Sequence, residues 1–364
     1  VAIVVSFSGE GGVERMVLNL AGGMAACGVN VDLLAIRADS AYLGALPEGV
    51  RLIDLGVRHS AVAVPSLVRY LRRERPDAVL AAKDRAIRAA ALARRLAGWR
   101  GRLVGRLGTN LTASLEGRSP LARMARLAPM PLFYRKVDRI IAISDGVAED
   151  ARRTTKVPEA RITVVRNPVV SPRLTELAAS PCPHRWLEDG GDPVILGAGR
   201  LTRQKDFATL VRAFARLNVD RPARLVILGE GRQRDMLEAL AGELGVADRV
   251  MLPGFDPNPY AWMARARLFV LSSRWEGLGS VLVEALALGT PAVATDCPSG
   301  PREILADGRY GPLVPVGDDT ALATAMGATL DAPLAAAVLR EAVAEYTVEA
   351  ATRAYLAVLD LADL

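Results

Sequence analysis

Histidine and cysteine are scarce in this chain, which has two of the first and three of the second among 364 residues. Cys27, Cys182 and Cys297 are isolated, odd in number and far apart, which argues against a disulfide framework and fits a reducing compartment. With only His59 and His184 beside them, no ligand cluster has zinc-like spacing, so no metal site is expected. A Ser/His/Asp or Cys/His mechanism would have to use one of these two histidines. His59 follows a strand-like stretch and His184 sits in Pro-rich sequence, and both read as ordinary surface residues. Long apolar runs are lacking as well: Ala2-Ile3-Val4-Val5 and Leu225-Val226-Ile227-Leu228 fall far below the ~20 residues of a membrane-spanning helix. The opening residues carry no basic leader or small-residue cleavage site and are expected to form a first strand, not a signal peptide.

What is present is a globular composition, 51% apolar and 24% charged, which excludes a disordered chain. At ~150 residues per domain the length suggests two domains, each able to bury its own core. The net charge of +6 hides an asymmetry: residues 1–172 hold 27 Lys/Arg against 15 Asp/Glu, giving +12, and the remainder holds 19 against 25, giving −6.

Short β-branched runs alternate with amphipathic helical stretches, the pattern of parallel sheets covered by helices. In the first half, strands are expected at 2–6, 30–36, 51–54, 78–81, 102–106, 139–143 and 162–165, with helices at 13–26, 66–74, 85–97 and 146–154. Residues 167–193 crowd Pro168, Pro172, Pro181, Pro183, Gly190, Gly191 and Pro193 together and read as a linker. The rhythm then restarts, with strands at 194–197, 224–228, 250–252, 268–271, 292–295 and 313–316 and helices at 207–217, 232–244 and 280–288. This predicts two doubly wound α/β domains in series, whose ligands should sit at the carboxyl ends of strands.

Three glycine pairs, Gly9-x-Gly11, Gly197-x-Gly199 and Gly229-x-Gly231, invite a dinucleotide reading, but Glu14, Thr202 and Arg234 stand where a third Gly or Ala is required. Gly11 and Gly12 have a better use just before helix 13–26, whose N-terminal amides and dipole attract phosphate. In the second half, strand 194–197 runs into Gly199-Arg200-Leu201-Thr202-Arg203-Gln204-Lys205, where a guanidinium and an ammonium flank one strand-to-helix loop. Such a pair can clamp a diphosphate; the alternative is two solvated surface cations. After strand 268–271 comes Ser272-Ser273-Arg274-Trp275-Glu276-Gly277-Leu278-Gly279-Ser280-Val281-Leu282-Val283-Glu284-Ala285, with a glutamate in the loop and another a turn into the next helix. The amides of Leu278, Gly279 and Ser280 suit a phosphate and a carboxylate suits vicinal ribose hydroxyls, whereas a structural reading makes Glu276 and Ser280 caps and Glu284 a surface residue.

These segments, together with Leu228-Gly-Glu-Gly231, Leu252-Pro-Gly254-Phe255, Gly289-Thr-Pro-Ala and Cys297-Pro-Ser-Gly-Pro-Arg-Glu303-Ile, resemble the retaining family 4 glycosyltransferases in order and spacing. Gly11-Gly12-Val13-Glu14, Ile143-Ser144-Asp145-Gly146-Val147 and Val165-x-Asn167-Pro168-Val169 extend the resemblance into the first half. The Cys297–Ile304 wording is similar to bacterial members that assemble lipid-linked oligosaccharides or surface polysaccharides.

The resemblance implies a GT-B fold, two Rossmann-like domains facing across a cleft. The first would span 1–172 with a C-terminal helix of about 340–364 packing back on it, and the second 173–339. It implies transfer of a hexosyl or N-acetylhexosaminyl group from a nucleoside diphosphate sugar, with uridine the expected base. The reaction would retain anomeric configuration and use neither metal nor cofactor. Arg200 and Lys205 would bind the diphosphate and offset its growing charge. Glu284 would hold the ribose, while Glu276 and the amides of Leu278, Gly279 and Ser280 would hold the sugar and phosphate. Gly199, Gly231 and Phe255 would border the donor, and Gly11 and Gly12 would close on it from the opposite domain. Many members carry a histidine after a first-domain strand; here strand 78–81 leads into Ala82-Lys83-Asp84-Arg85 instead. Either Lys83, Asp84 or Arg85 would take its place, or another loop such as Arg106-Leu-Gly-Thr109-Asn110 would line that site, which makes Lys83, Arg106 and Asn110 the acceptor-side candidates.

The acceptor is expected to be lipid-linked or a saccharide, and the setting cytoplasmic, at the inner face of the plasma membrane. Arg123, Arg126, Arg135 and Lys136 interleave with Leu121, Met124, Leu127, Met130, Leu132 and Phe133, a pattern that would lie on an anionic leaflet. A helical hairpin with a solvated basic face, or a basic cleft for an acidic acceptor, would give the same pattern. Nucleic acid is not an expected partner, since the basic clusters lack a recognised motif or stacking aromatics. A nucleotide-sugar epimerase of the same fold and a non-catalytic nucleotide-sugar binder remain as alternatives.

Overall fold

A computed structural model of the protein describes residues 1–7, 12–44, 46–188 and 190–361. The chain divides into two compact units, Val1–Val169 with Tyr346–Leu364, and Val170–Glu345. The cuts thus fall at 169/170 and 345/346, against expected boundaries at 172/173 and 339/340.

The first unit is built from β1 (Ala2–Phe7), α1 (Gly12–Ala26), β2 (Val31–Ala38), β3 (Val50–Asp54), α2 (Val64–Glu74), β4 (Ala78–Ala82), α3 (Asp84–Ala97) and β5 (Arg102–Leu107). Then follow α4 (Pro120–Leu127), α5 (Met130–Tyr134), β6 (Arg139–Ala142), α6 (Asp145–Thr155) and β7 (Ile162–Val164). Its strands pair in parallel in the order β3-β2-β1-β4-β5-β6-β7. Helices cover both faces of such a sheet, so central strands bury side chains on both faces. That is why β1 and β4 read as near-continuous apolar runs rather than alternating ones.

The second unit contains α7 (Pro172–Ala178), β8 (Val194–Ala198), α8 (Phe207–Asp220), β9 (Arg224–Leu228), α9 (Arg234–Glu243), β10 (Val250–Gly254) and α10 (Pro259–Met263). It continues with β11 (Leu268–Leu271), α11 (Ser280–Ala287), β12 (Ala292–Thr295), α12 (Pro301–Ile304), β13 (Leu313–Val314), α13 (Asp319–Asp331) and α14 (Ala336–Glu341). The parallel order is β10-β9-β8-β11-β12-β13. Phe207, Leu210, Val211 and Phe214 of α8 pack against Ile195, Leu225 and Ile227 to form its core.

Residues 167–193 are not a plain linker. Pro172 stands in the first turn of α7, where its missing N–H costs nothing, and Leu174 and Ala178 are buried. The carbonyls of Leu177 and Ala178 accept from Asn258 Nδ2 (2.9 Å) and Arg265 Nη1 (3.1 Å), tying α7 beside α10.

The chain leaves and re-enters the first unit at adjoining points, where the Val169 N–H donates to the Tyr346 carbonyl (2.9 Å). It ends in α15 (Val348–Val358), capped by the Thr347 hydroxyl, which accepts from the Ala350 N–H. Tyr355, Leu356 and Leu359 join the core of the first unit beside Leu20, Ala21 and Met24. Gly23 lets α1 and α15 approach, since a Cβ there would overlap the Thr352 hydroxyl.

Candidate active site

In the second unit the chain winds from β8 through β9 to β10 on one side and from β11 through β12 to β13 on the other. The carboxyl ends of β8 and β11 therefore flank the switch point, where an open α/β sheet leaves a crevice for a ligand. The two loops that leave these strands are stitched together. The Arg274 N–H donates to the Gln204 carbonyl (2.8 Å), Gln204 Nε2 to the Trp275 carbonyl (3.0 Å), and the Ser272 hydroxyl to the Lys205 carbonyl (2.8 Å). Arg274 also pairs with Asp206 (3.0 Å), which precedes α8 in a left-handed conformation.

This stitching sets Lys205 Nζ 2.6 Å from Glu276 Oε1. The same oxygen accepts from the Ser273 hydroxyl at 2.6 Å. Glu276 is 6% exposed and Glu284 5%, so Glu284 is not the surface residue of the alternative reading. A buried carboxylate needs a cation or hydrogen-bond donors to offset its lost hydration, and Lys205 and Ser273 supply them to Glu276. Arg200 is exposed and makes no ion pair with a described residue. Ser280 opens α11 one residue after Gly279, and Leu278 is buried beside them. Cys297 is buried next to this pair. Desolvation first, and the Glu276 charge second, push its thiol up to about 12 against a smaller opposing effect of Lys205. It is a neutral thiol at physiological pH.

Two of the glycine pairs find their purpose in loop packing. A Cβ on Gly229 would overlap the Gly199 carbonyl, and one on Gly231 the Leu201 carbonyl. The loops after β8 and β9 thus press backbone to backbone, joined by Gly199 N–H to the Leu228 carbonyl and Leu201 N–H to the Glu230 carbonyl, both 2.9 Å. Beside them Glu230 pairs with Arg234, whose hydrogen bond holds that carboxyl below its usual range. Phe255, just past β10, is exposed. Gly300 packs on Leu278 with no room for a side chain, and the Glu276 N–H donates to the Pro298 carbonyl (3.2 Å), so the segment 297–300 supports the loop that carries Glu276.

In the first unit, Gly12 opens α1 and is exposed, while Gly11 lies outside the described residues. Lys83 follows β4 at φ 80°, a strained value for a residue with a side chain. Its ammonium donates to Glu14 (2.8 Å) and to the Ser6 carbonyl (2.9 Å), at the switch point between β1 and β4. One acceptor-side expectation, Arg106, needs correction. Arg106 is 1% exposed and points inward, donating to Asn167 Oδ1 (2.8 Å) and the Tyr355 hydroxyl (3.1 Å); it clasps the C-terminal helix instead of facing an acceptor. Asn110 is buried too, its Oδ1 accepting from the Ala113 N–H (2.9 Å) to cap a turn.

The basic segment 118–136 also differs from expectation at two residues: Met130 is buried in the core instead of facing outward, and Arg126 is tied down. Arg126 pairs with buried Asp84 (2.7 Å), which also accepts from Arg88 (3.0 Å) and the Tyr134 hydroxyl (2.9 Å). Arg126 is therefore committed to packing. Arg123 and Arg135 stay exposed beside Leu121, Met124 and Leu132. Among the described residues no helix is long and apolar enough to cross a membrane, and no group of three His, Cys, Asp or Glu could hold a metal ion.

Sequence motifs had singled out Lys205 and Glu276 but not their pairing. Ser273 and Glu14 lie within the Ser272–Ala285 and Gly11–Glu14 motifs, but motif spacing assigns them no role. Tyr260, which donates to Glu284 (3.3 Å), had no signal at all.

Comparison with known proteins gives this geometry its context. Residues 183–347 match the family model "Glycosyl transferases group 1", and residues 10–171 match "Glycosyltransferase Family 4". With both halves matched, the chain belongs to these glycosyltransferases, and its fold is GT-B. It is 38% identical over 193 residues to the N-acetylgalactosamine-N,N'-diacetylbacillosaminyl-diphospho-undecaprenol 4-alpha-N-acetylgalactosaminyltransferase of Campylobacter jejuni, a match covering 52% of this chain and 50% of that protein. It is 28% identical over 363 residues to the lipopolysaccharide core biosynthesis glycosyltransferase LpsE of Rhizobium meliloti, covering 97% of each. Among solved structures, Anabaena Alr3699/HepE in complex with UDP-glucose matches at a TM-score of 0.79 and 20% identity, covering 99% of this chain and 98% of that one. The lipopolysaccharide outer core galactosyltransferase WaaB matches at 0.74 and 21%, covering 99% and 98%.

Proposed function

We propose that this glycosyltransferase moves a hexosyl or N-acetylhexosaminyl group from a UDP-sugar to a lipid-linked or saccharide acceptor in cell-surface glycan assembly, with retention at the anomeric carbon. The observation that carries the donor reading is the Lys205–Glu276 pair at the switch point, beside the N-terminus of α11, with exposed Arg200 on the same loop as Lys205. Arg200 and Lys205 would meet the diphosphate and offset the charge that grows on it as the glycosidic bond breaks. Preorganised positive charge is the main catalytic term open to a site without an evident nucleophile. Supplied by side chains, that charge makes the reaction metal-independent in this proposal. Glu276 would exchange its bond to Lys205 for the sugar hydroxyls, and Leu278, Gly279 and Ser280 would offer amides to phosphate. Glu284 would accept from the ribose, with Gly199, Gly231 and Phe255 bordering the nucleotide. Lys83, held by Glu14, is the acceptor-side candidate of the first unit, and Gly12 would offer its helix N-terminus to phosphate.

Uridine is supported by the UDP-glucose bound in the Anabaena structure, and a lipid-linked acceptor by the diphospho-undecaprenol in the name of the Campylobacter relative. Incubation with UDP-glucose, UDP-galactose and their N-acetylated counterparts, with and without chelator, tests the reading. Slow release of sugar of retained configuration, undiminished by chelator, is expected; a nucleotide sugar returned intact but epimerised would overturn it.

The exposed cations and apolar residues of 118–136 support a second part of the proposal, contact with an anionic membrane surface at ~1 kcal/mol per cation. Co-sedimentation with vesicles should require anionic lipid, fall with salt, and weaken when Arg123 and Arg135 are neutralised. Equal recovery with neutral vesicles would remove it.

A further inference from the structure

We infer that Tyr260 is a positioning residue for the donor site, its phenol holding the Glu284 carboxylate in the orientation that accepts a ribose diol. The inference rests on the proposed role of Glu284 as ribose contact. Tyr260 and Glu284 stand on different helices, α10 and α11, and both are buried, with the hydroxyl donating to Oε1 at 3.3 Å.

A glutamate on a helix has three side-chain torsions, and a buried one left to sample them would spend little time in any single pose. Tyr260, a partner of this carboxylate, is stiff. Tyrosine has two torsions, and the short helix that carries it is pinned on several sides. Asn258 Nδ2 donates to the Leu177 carbonyl (2.9 Å), Trp262 Nε1 to Asp256 Oδ2 (2.7 Å), and the Thr290 hydroxyl to the Met263 carbonyl (2.6 Å). The phenol is thus fixed by the fold, and the carboxylate is oriented by it.

The chemistry of the donor matters as well. An ammonium at this position would neutralise Glu284, as Lys205 does Glu276. A phenol donates a single neutral hydrogen bond, takes one of about four acceptor sites of the carboxylate, and leaves its charge in place for hydroxyl donors. A neutral donor to a charged carboxylate is the arrangement that orients without competing.

The test compares whichever of UDP, GDP and ADP binds tightest with its 2′-deoxy analogue, by calorimetry, in the unmodified protein, Tyr260→Phe, Glu284→Ala and the double variant. Tyr260→Phe removes one oxygen and keeps the ring in the core. The unmodified protein should prefer the ribonucleotide by about tenfold, a charged hydrogen bond's worth. Glu284→Ala should abolish that preference, and Tyr260→Phe should shrink it severalfold while changing deoxynucleotide affinity little. Adding Tyr260→Phe to Glu284→Ala should then have no further effect. A preference lost in Glu284→Ala but intact in Tyr260→Phe overturns the role of Tyr260 alone. Equal losses of both nucleotides in Tyr260→Phe overturn it too, by reducing Tyr260 to a packing residue. A preference that survives Glu284→Ala overturns the ribose role of Glu284, and the inference with it.

Discussion

At the scale of single residues, the second unit concentrates opposite charges where the sheet changes direction, and each is expected to matter differently. Lys205→Ala and Arg200→Ala should each lower turnover by at least ~10²-fold, the order lost with one preorganised charge stabiliser. Arg200→Ala should melt near the unmodified protein because Arg200 is exposed, whereas Lys205→Ala strands the buried Glu276 carboxylate and should melt lower while still folded at the assay temperature. Near-normal turnover in either would remove it from the diphosphate site. Cys297 offers a check on the electrostatics that needs no substrate. With its thiol raised to about 12 by burial and by Glu276, the neutral form dominates at pH 8, whereas Cys27 is exposed. Iodoacetamide at pH 8 followed by mass spectrometry should modify Cys27 and spare Cys297 until denaturant is added. The sign follows from the shift: the folded state favours the protonated thiol, so its stabilising contribution is complete below about pH 9 and is lost as pH climbs towards about 12. Early labelling of Cys297 in the native protein would contradict its burial.

Whole elements are held by a few interactions at their ends. The exposed helix α4 has no fully buried residue of its own and is anchored through Arg126 to Asp84, at the start of α3. Asp84→Ala would strand Arg88, Arg126 and the Tyr134 hydroxyl together. It should destabilise the first unit by about 3 kcal/mol, the low end for breaking a buried ion pair, since Arg126 is partly solvated. Urea unfolding monitored by far-ultraviolet dichroism measures this, and a change within 0.5 kcal/mol, typical of surface substitutions, would refute the anchor. The strands and helices were largely legible beforehand because each buries a periodic apolar face that its own residues announce. Helix α7 was not: Pro172, Pro181 and Pro183 signal a break, and only the docking of Leu174 and Ala178 in the second unit repays a helix seven residues long.

For the whole molecule, the return of the last residues to the first unit is a structural necessity. Helix α15 brings Tyr355 to Arg106, a fully buried guanidinium whose named partners are a phenol and an amide. It also lays Leu356 and Leu359 on the core. Ending the chain after Glu345 should therefore unfold or aggregate the first unit and leave the second folded. Hydrogen exchange should show β1 and α1 losing protection while β8 and β11 keep theirs. Undiminished protection of α1 would mean that α15 is dispensable.

The amino-acid sequence by itself determined the two doubly wound domains and the family, because strand–helix periodicity and motif spacing are local properties that survive without coordinates. Only the tertiary structure decided how charges are shared. Arg106 reads as a cation at a strand end, and its burial depends on Tyr355, 249 residues away. Asn110 reads as a loop amide and is turned inward to cap a turn. Lys205 and Glu276 are 71 residues apart, and their 2.6 Å contact exists because two loops meet at one switch point. Side-chain direction at the end of a strand is set by what packs against it, and burial of a polar group is set by partners that local sequence does not name.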